Sequence, residues 1–207
     1  ARFVRHDAVH GHKLRSPLTM AVAADGDTIW VSYQFGDISR FERGAVHHYL
    51  GKDSPAATVL RFGRTPDGAM WALSGTGLHR LEGDRWVEAG PSVGLPDGSP
   101  RGFSVLADGS LLVYCADGIY RGPPGASAAA RRFTRVLDRP QLGEGYPRPD
   151  GKVVIKTGDN TLQLFDPASG ATTPLALHND GAPLLGYVGD ARGGLWVAAG
   201  DAVQLLD

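Results

Sequence analysis

The chain has 207 residues, 42% of them hydrophobic and 21% charged, a composition typical of a folded globular domain that excludes a disordered chain. Its 21 Lys and Arg residues nearly balance its 22 Asp and Glu residues, which argues against a nucleic-acid binder, because that function needs a basic surface. No apolar run approaches the roughly 20 residues of a membrane-spanning helix, so we expect no direct membrane insertion. The single Cys115 excludes an internal disulfide and a cysteine-rich zinc site.

Short apolar runs separated by turns follow one another along the whole chain. Five of them come directly after an Asp-Gly or Arg-Gly pair, and their central residues are at positions 30, 71, 112, 154 and 196. A second run follows each of these, at positions 38, 78, 119, 162 and 203. Further short runs lie before and after each pair, which gives four strands in every unit of about 40 residues. This period is typical of a β-propeller blade. Only residues 125–132 favour helix, and we expect a loop or a single turn there.

The fifth unit ends after its third strand, whereas residues 1–8 resemble a fourth strand. The sequence therefore predicts an all-β fold: a single five-bladed β-propeller of four-stranded antiparallel blades, in which the N-terminal strand closes the last blade. The predicted repeats are residues 17–52, 56–90, 99–138, 142–178, and 182–207 plus 1–8. The rival is an open set of five blades from a larger propeller, whose two bare apolar faces would favour aggregation or a dimer.

The blade pattern is Asp-Gly-x-[Leu/Met]-Trp, a glycine-rich break, and Gly-[Leu/Ile]-x-Arg, with Gly94-Leu95-Pro96 as a lead-in. It resembles the two-component regulator propeller repeat, and the best matches are residues 67–81 and 94–121. That resemblance implies a periplasmic or extracellular sensor domain of a bacterial signalling receptor, which binds a ligand or a protein without catalysis. A similar blade occurs in the streptogramin B lyase group, which implies an enzyme as the alternative. A scaffold or an excised or engineered blade set is the third possibility.

Most of the conspicuous residues have a structural interpretation. Trp30, Trp71 and Trp196 lie in the middle of predicted strands, so we expect them to fill the core between blades. His79 occupies a position held by Ser, Tyr or Gln in the other repeats, and we expect it to be exposed. His6, His10 and His12 are an even number of residues apart, so in a strand they lie on one face and could bind a metal ion. A solvated strand is the favoured interpretation. We therefore predict no metal and no cofactor.

The candidate binding residues are found where the repeats differ. Four repeats carry small residues after the second strand, whereas the first has Tyr33-Gln34-Phe35, which we expect to form an exposed aromatic loop. Other residues near the innermost strands are predicted to line a channel mouth: Arg61, Arg64, Arg101, Tyr146, Arg148 and Tyr187. Such a mouth would take a small molecule, a carbohydrate or a protein, and its arginines favour an anionic one.

No catalytic residue is predicted, because the chain has neither a Gly-x-Ser-x-Gly motif nor a phosphate-binding loop. The lyase alternative would need a histidine and a glutamate that face each other across the channel mouth. Glu144 and His178 are the formal candidates for that pair.

Overall fold

Antiparallel strands account for nearly all the regular structure of the chain. The computed structural model describes residues 6–139, 143–157, 161–177, 184–189 and 194–206. In chain order the strands are β1 (Ala8–Val9), β2 (His12–Lys13), β3 (Thr19–Asp25), β4 (Thr28–Tyr33), β5 (Ile38–Glu42), β6 (Ala45–Tyr49), β7 (Val59–Arg64), β8 (Met70–Ser74), β9 (Leu78–Glu82), β10 (Arg85–Ala89), β11 (Gly102–Val105), β12 (Leu111–Cys115), β13 (Gly118–Gly122), β14 (Thr134–Leu137), β15 (Tyr146–Pro147), β16 (Val153–Lys156), β17 (Leu162–Phe165), β18 (Thr172–Pro174), β19 (Leu184–Gly189), β20 (Leu195–Ala199) and β21 (Ala202–Leu206). Within the described ranges the helical structure consists of three short 3₁₀ turns, at Gln34–Gly36, Gly51–Asp53 and Pro91–Val93.

Each sequence repeat folds into one antiparallel sheet whose neighbouring strands follow one another in the chain. Four sheets have four strands: sheet I (β3–β6), sheet II (β7–β10), sheet III (β11–β14) and sheet IV (β15–β18). Sheet V consists of β19–β21, and β1 and β2 form a separate hairpin. The all-β prediction is confirmed, and the predicted helix-favouring segment forms bends and turns at residues 126–130.

The predicted closing strand, residues 1–8, falls largely outside the described residues. Its last residue, Ala8, pairs with Lys13 in the β1–β2 hairpin. The six sheets of the described chain therefore comprise five repeat sheets and this hairpin, and the closed five-bladed ring stays a prediction.

The chain divides into two compact units. Unit one contains sheets I and II, up to Ser99, together with Gly125–Arg131. Unit two contains Pro100–Pro124 and the chain from Arg132 onward, with sheets III, IV and V. The connection between β13 and β14 thus contributes a segment to unit one although both strands belong to unit two.

Aromatic side chains form the core of unit one between sheets I and II. The Trp30 ring lies 6.0 Å from that of Tyr49, 6.3 Å from Phe62 and 5.9 Å from Trp86, centroid to centroid. Pairs at these separations add to the free energy gained from burying apolar area. Trp30 therefore fills the space between two sheets, as its sequence position predicts.

The other face of sheet I packs against the N-terminal hairpin. Val31, Tyr33 and Phe41 are buried there, with Val9 and Leu14 from the hairpin region against them. This packing fixes the end of β4, from which the first candidate loop begins.

Mainly aliphatic side chains form two clusters in unit two. Leu112 of sheet III packs with Val153 and Ile155 of sheet IV. Val154, from the opposite face of sheet IV, packs with Leu195 and Val197 of sheet V. Consecutive side chains of β16 thus enter different clusters, because side chains alternate between the two faces of a strand.

Trp196 and His79 differ from their predictions. Trp196 is 42% exposed because it projects from the face of sheet V opposite Leu195 and Val197, so its predicted core position is wrong. His79 is only 5% exposed, so its predicted exposure is wrong as well. Its Nε2 lies 2.9 Å from the buried hydroxyl of Ser74, and Ser39 at the equivalent position of sheet I is also buried. Both residues lie in the third strand of their sheet, and they are buried because both faces of that strand are covered.

Candidate binding site

The loop between β4 and β5 presents one aromatic side chain to solvent and buries another. Phe35 is 80% exposed, whereas Tyr33, two residues earlier, is 1% exposed. The prediction of an exposed loop is therefore correct for Phe35 and wrong for Tyr33. Tyr33 is the last residue of β4, and its side chain falls on the face that the N-terminal hairpin covers.

Phe35 has a backbone conformation that is rare for any residue except glycine. Its φ is 74° and its ψ is 13°, in the left-handed region. Steric contact of the side chain with the backbone makes this region unfavourable by roughly 1–2 kcal/mol for an ordinary L-residue. The surrounding structure must therefore hold the residue in place.

Hydrogen bonds from neighbouring segments fix this loop. The Phe35 amide donates to the hydroxyl of Thr58 at 3.2 Å, and the Gln34 amide donates to the carbonyl of Leu18 at 3.0 Å. The buried hydroxyl of Ser54 donates to the carbonyl of Gly36 at 2.6 Å. Gly36 has a φ of 97° and lies so close to the 55–57 backbone that a side chain there would collide with it. The loop backbone is thus anchored by hydrogen bonds around Phe35, and it carries an exposed Phe35 ring and an exposed Gln34.

Asp37 follows the 34–36 turn and brings a second charged residue, Arg15, to this end of the loop. Arg15 and Asp37 form an ion pair with 3.0 Å between Nε and Oδ2, and the Arg15 amide donates to the Tyr33 hydroxyl at 3.2 Å. Nearby, Ser39 Oγ lies 2.8 Å from Nδ1 of His48. Burial, and then the positive charge of Arg15, lower the pKa of His48, so this imidazole favours its neutral form.

Two of the predicted arginines belong to unit one. Arg64 forms an ion pair with Asp25 and donates from Nε to the carbonyl of Gly68 at 3.3 Å. This contact joins β7 to the end of β3 and is the geometry of a structural salt bridge. Arg61 lies on the same strand and is exposed.

The remaining four candidates belong to unit two. Arg101 is exposed, and Arg148 Nε lies 3.8 Å from Oδ2 of Asp150. Tyr146 and Tyr187 are half-buried against the apolar cluster between sheets IV and V. The binding roles of all these residues stay predictions.

Tyr187 is held by a hydrogen bond within unit two. Its hydroxyl donates to the carbonyl of Glu144. Burial, followed by the negative charge of Glu144, raises the pKa of Tyr187 to about 12, so the phenol stays protonated at neutral pH and keeps its proton for this bond. The packing of this ring and its hydrogen bond describe a structural tyrosine.

The sequence also raised two other kinds of site, a histidine–glutamate pair of the lyase type and a metal site. His178, the predicted histidine of the lyase alternative, lies outside the described residues, so a pair with Glu144 stays untested. In the described ranges no three His, Cys, Asp or Glu residues come together as a set of metal ligands. His10 is at the turn of the N-terminal hairpin, and its Nε2 lies 2.6 Å from the carbonyl of Asp27. Among the same residues no helix has the length and hydropathy to cross a bilayer.

The sequence indicates Phe35 as a candidate contact but not the polar pairs near it. The aromatic insertion was visible as a break in the repeat, and Gly36 directly after it indicated a tight turn. The Arg15–Asp37 pair joins residues 22 positions apart, and the Ser39–His48 pair joins neighbouring strands. Neither pair follows a recognisable local pattern, so only the folded structure brings them to the loop.

Several solved structures superimpose on this chain. The chain superimposes on the WD40 β-propeller domain of Doa1 with a TM-score of 0.62 at 14% identity, covering 89% of this chain and 62% of that one. The fold is that of a β-propeller. The extracellular domain of the hybrid two-component system BT3049 from B. thetaiotaomicron gives a TM-score of 0.69 at 15% identity, covering 94% of this chain and 29% of that one.

A propeller enzyme is similar to the same degree. Virginiamycin B lyase from Staphylococcus aureus gives a TM-score of 0.66 at 16% identity, covering 94% of this chain and 72% of that one. Neither a family model nor a curated protein matches the chain. At these identities the similarity establishes the propeller fold and leaves the function open, because one fold supports many functions.

Proposed function

We propose that this propeller is a non-catalytic binding module, the sensor or input part of an extracellular or periplasmic signalling receptor. In this proposal Phe35 is the main contact for the ligand or partner. The observation that carries it is the exposed Phe35 ring, held in a left-handed backbone conformation by a hydrogen-bonded loop.

Phe35 gives the fold little stability in return for its strained backbone. An exposed aromatic ring gains little free energy from burial, and the left-handed backbone adds steric strain. Unfavourable features of this kind concentrate at binding and catalytic sites, where they position a group for a partner. The contacts of Thr58 and Ser54 fix the loop before any ligand arrives, which reduces the entropy lost on binding.

The chemistry around Phe35 favours a peptide segment of a protein or the apolar face of a sugar. The ring and the exposed side chain of Leu18 supply apolar area, and Gln34 and the Arg15–Asp37 pair supply polar contacts beside it. Aromatic anchors with a polar border are typical of protein and carbohydrate contacts. The similarity to the extracellular domain of a two-component system supports the sensor assignment at the level of fold.

Replacing Phe35 with alanine tests the contact. Peptides selected on the wild-type chain from a random phage-displayed library should bind the F35A variant at least about tenfold more weakly, since loss of a central aromatic contact exceeds about 1.4 kcal/mol. Calorimetry with the synthetic peptides and with a panel of neutral oligosaccharides measures the change. Val22→Ala, which shortens a side chain that is 66% exposed in β3, is the matched control and should leave affinity unchanged. Binders that tolerate F35A as well as V22A would refute the proposed site.

Replacing Phe35 with glycine separates binding from folding. Glycine adopts the left-handed conformation without the steric cost, so F35G should raise the free energy of unfolding by about 1 kcal/mol. The same variant should lose the peptide affinity. Urea denaturation followed by circular dichroism measures the first effect. A variant that is less stable than the wild type would show that the ring supports the fold.

A further inference from the structure

The connection between β13 and β14 is longer than a hairpin needs. The third and fourth strands are joined by residues 43–44 in sheet I and 83–84 in sheet II, but by residues 123–133 in sheet III. Part of this connection, Gly125–Arg131, belongs to unit one, where it packs on sheet II. The extra length therefore makes a contact away from the two strands that it joins.

The segment 125–131 lies in a site built from four side chains of sheet II: Asp67, Trp71, Arg80 and Glu82. Arg80 donates a hydrogen bond from Nη1 to the carbonyl of Ala126. The amide of Ala128 donates to Oε1 of Glu82. Two charged side chains thus bind the backbone of the segment, one through a carbonyl and the other through an amide, as they would bind any peptide in this conformation.

The arginine of the segment is held by an aromatic ring and by negative charge. The guanidinium carbon of Arg131 lies 5.1 Å from the centroid of the Trp71 ring, and both side chains are fully buried. A hydrogen bond from Thr65 lowers the pKa of Asp67, and the charge of Arg131 contributes in the same direction. Asp67 is therefore ionised at neutral pH and attracts the guanidinium. A planar guanidinium stacks on a ring better than an ammonium group does, so the site favours arginine over lysine.

The segment is anchored at two side chains and is otherwise open to solvent. Ala128 is 1% exposed and Arg131 is 0% exposed, whereas Ala126, Ala129 and Ala130 are exposed. The segment lies outside the strands, and β13 pairs with β14 without its help. It can therefore leave sheet II while the pairing of sheet III stays intact.

The segment leaves part of the site unsatisfied. Among the described residues, Arg80 Nε and Trp71 Nε1 are buried without a hydrogen-bond partner. Both atoms belong to side chains that contact the segment, and a buried donor without an acceptor is unfavourable. A peptide that brings an acceptor to either donor would therefore bind this site better than the segment does.

We propose that this site of sheet II binds an arginine-bearing peptide of a partner protein, and that the segment 125–131 is its internal occupant. The segment closes the site in the free chain. The partner's peptide binds in its place, with its arginine on Trp71 and its backbone on Arg80 and Glu82. The site shares no residue with the Phe35 contact and does not depend on it.

Removal of the internal anchor tests the replacement. Arg131→Ala takes the buried side chain from the segment, so a synthetic peptide of residues 124–132 should bind this variant one to one in calorimetry, with a dissociation constant below about 100 µM. A tethered segment competes at an effective concentration of about 1 mM, so the wild-type chain should bind the peptide at least about tenfold more weakly. Arg132→Ala, which removes the exposed neighbouring arginine, is the matched control and should behave as the wild type does.

Two further changes locate the bound peptide. Lysine in place of the first arginine of the peptide should weaken its binding to the Arg131→Ala variant at least about fivefold. Adding Glu82→Gln to that variant should weaken binding about tenfold, because the peptide amide loses a charged acceptor. A peptide that is indifferent to both changes would bind elsewhere, which would refute the proposed site.

The wild-type chain provides a test that does not depend on the folding of a variant. In nuclear magnetic resonance spectra of the ¹⁵N-labelled chain, unlabelled peptide in millimolar excess should shift the amide signals of residues 126–131 as the segment leaves sheet II. Unchanged signals would overturn the proposal and make the segment a fixed part of unit one. A folded Arg131→Ala variant that does not bind the peptide would overturn it as well.

Discussion

Trp71→Ala should lower the free energy of unfolding by about 3–5 kcal/mol, the range for removing a large aromatic side chain from a core. Trp71 is fully buried in unit one. The guanidinium carbon of Arg131 lies 5.1 Å from the centroid of its ring, and that of Arg80 lies 5.9 Å away. Because Arg131 is itself fully buried, the variant loses a cation–π contact as well as apolar burial. Urea denaturation at neutral pH, followed by circular dichroism, gives the change.

Phe35→Ala is the control for the Trp71 experiment, since it removes an aromatic ring that is 80% exposed in the same unit. It should change the free energy of unfolding by less than about 0.5 kcal/mol, as expected for a surface substitution. A similar loss in both variants would mean that the loss on removing Trp71 does not depend on the burial of its ring. A loss below about 1 kcal/mol in Trp71→Ala would contradict the packing described for unit one.

Acid should destabilise the protein through His79. Burial lowers the pKa of His79 from 6.5 to about 4, so this imidazole stays neutral in the folded chain. In the unfolded chain it takes up a proton as the pH falls below about 6.5, which favours unfolding. Between pH 7 and pH 4 the linked loss is on the order of 3 kcal/mol. Denaturant titrations at a series of pH values measure it.

His79→Gln isolates this contribution from the other titrating groups. Glutamine has no charge to gain, and it is the residue at the equivalent positions of sheets IV and V, Gln163 and Gln204. The stability of the variant should fall less steeply than that of the wild type between pH 6.5 and pH 4. Carboxyl groups with lowered pKa values, such as Asp67 and Asp108, remain in both proteins, so the difference between the two curves reports His79 alone. Parallel curves would mean that folding does not lower the pKa of His79.

The strand framework could be predicted because it rests on local signals. Asp-Gly turns at a nearly constant spacing define where strands begin, and alternating apolar residues define the strands. Each repeat forms one sheet for that reason. The environment of a repeat position depends on what packs against its sheet, which a repeat pattern does not encode. Trp30 and Trp196 hold the same repeat position, yet one is in a core and the other on a surface.

The candidate loop was predictable in its location and only partly in its geometry. Tyr33-Gln34-Phe35 stands out because it replaces the small residues of the other repeats. Tyr33 is buried because it is still a residue of β4, and the strand ended later than the composition suggested. The conformation of Phe35 depends on the contacts of Thr58 and of the 55–57 backbone, which come from the next repeat and have no local signal.

The path of the chain through unit one affects how the protein can be made. Residues 125–131 belong to unit one, and Arg131 covers the ring of Trp71. When the ribosome has released the chain as far as Ser99, both sheets of the unit are present but this segment is not. The ribosome adds roughly 5–20 residues per second, so the segment that covers Trp71 is made some seconds after the two sheets. A gene fragment that stops at Ser99 should therefore yield a product that aggregates, because the ring of Trp71 is uncovered.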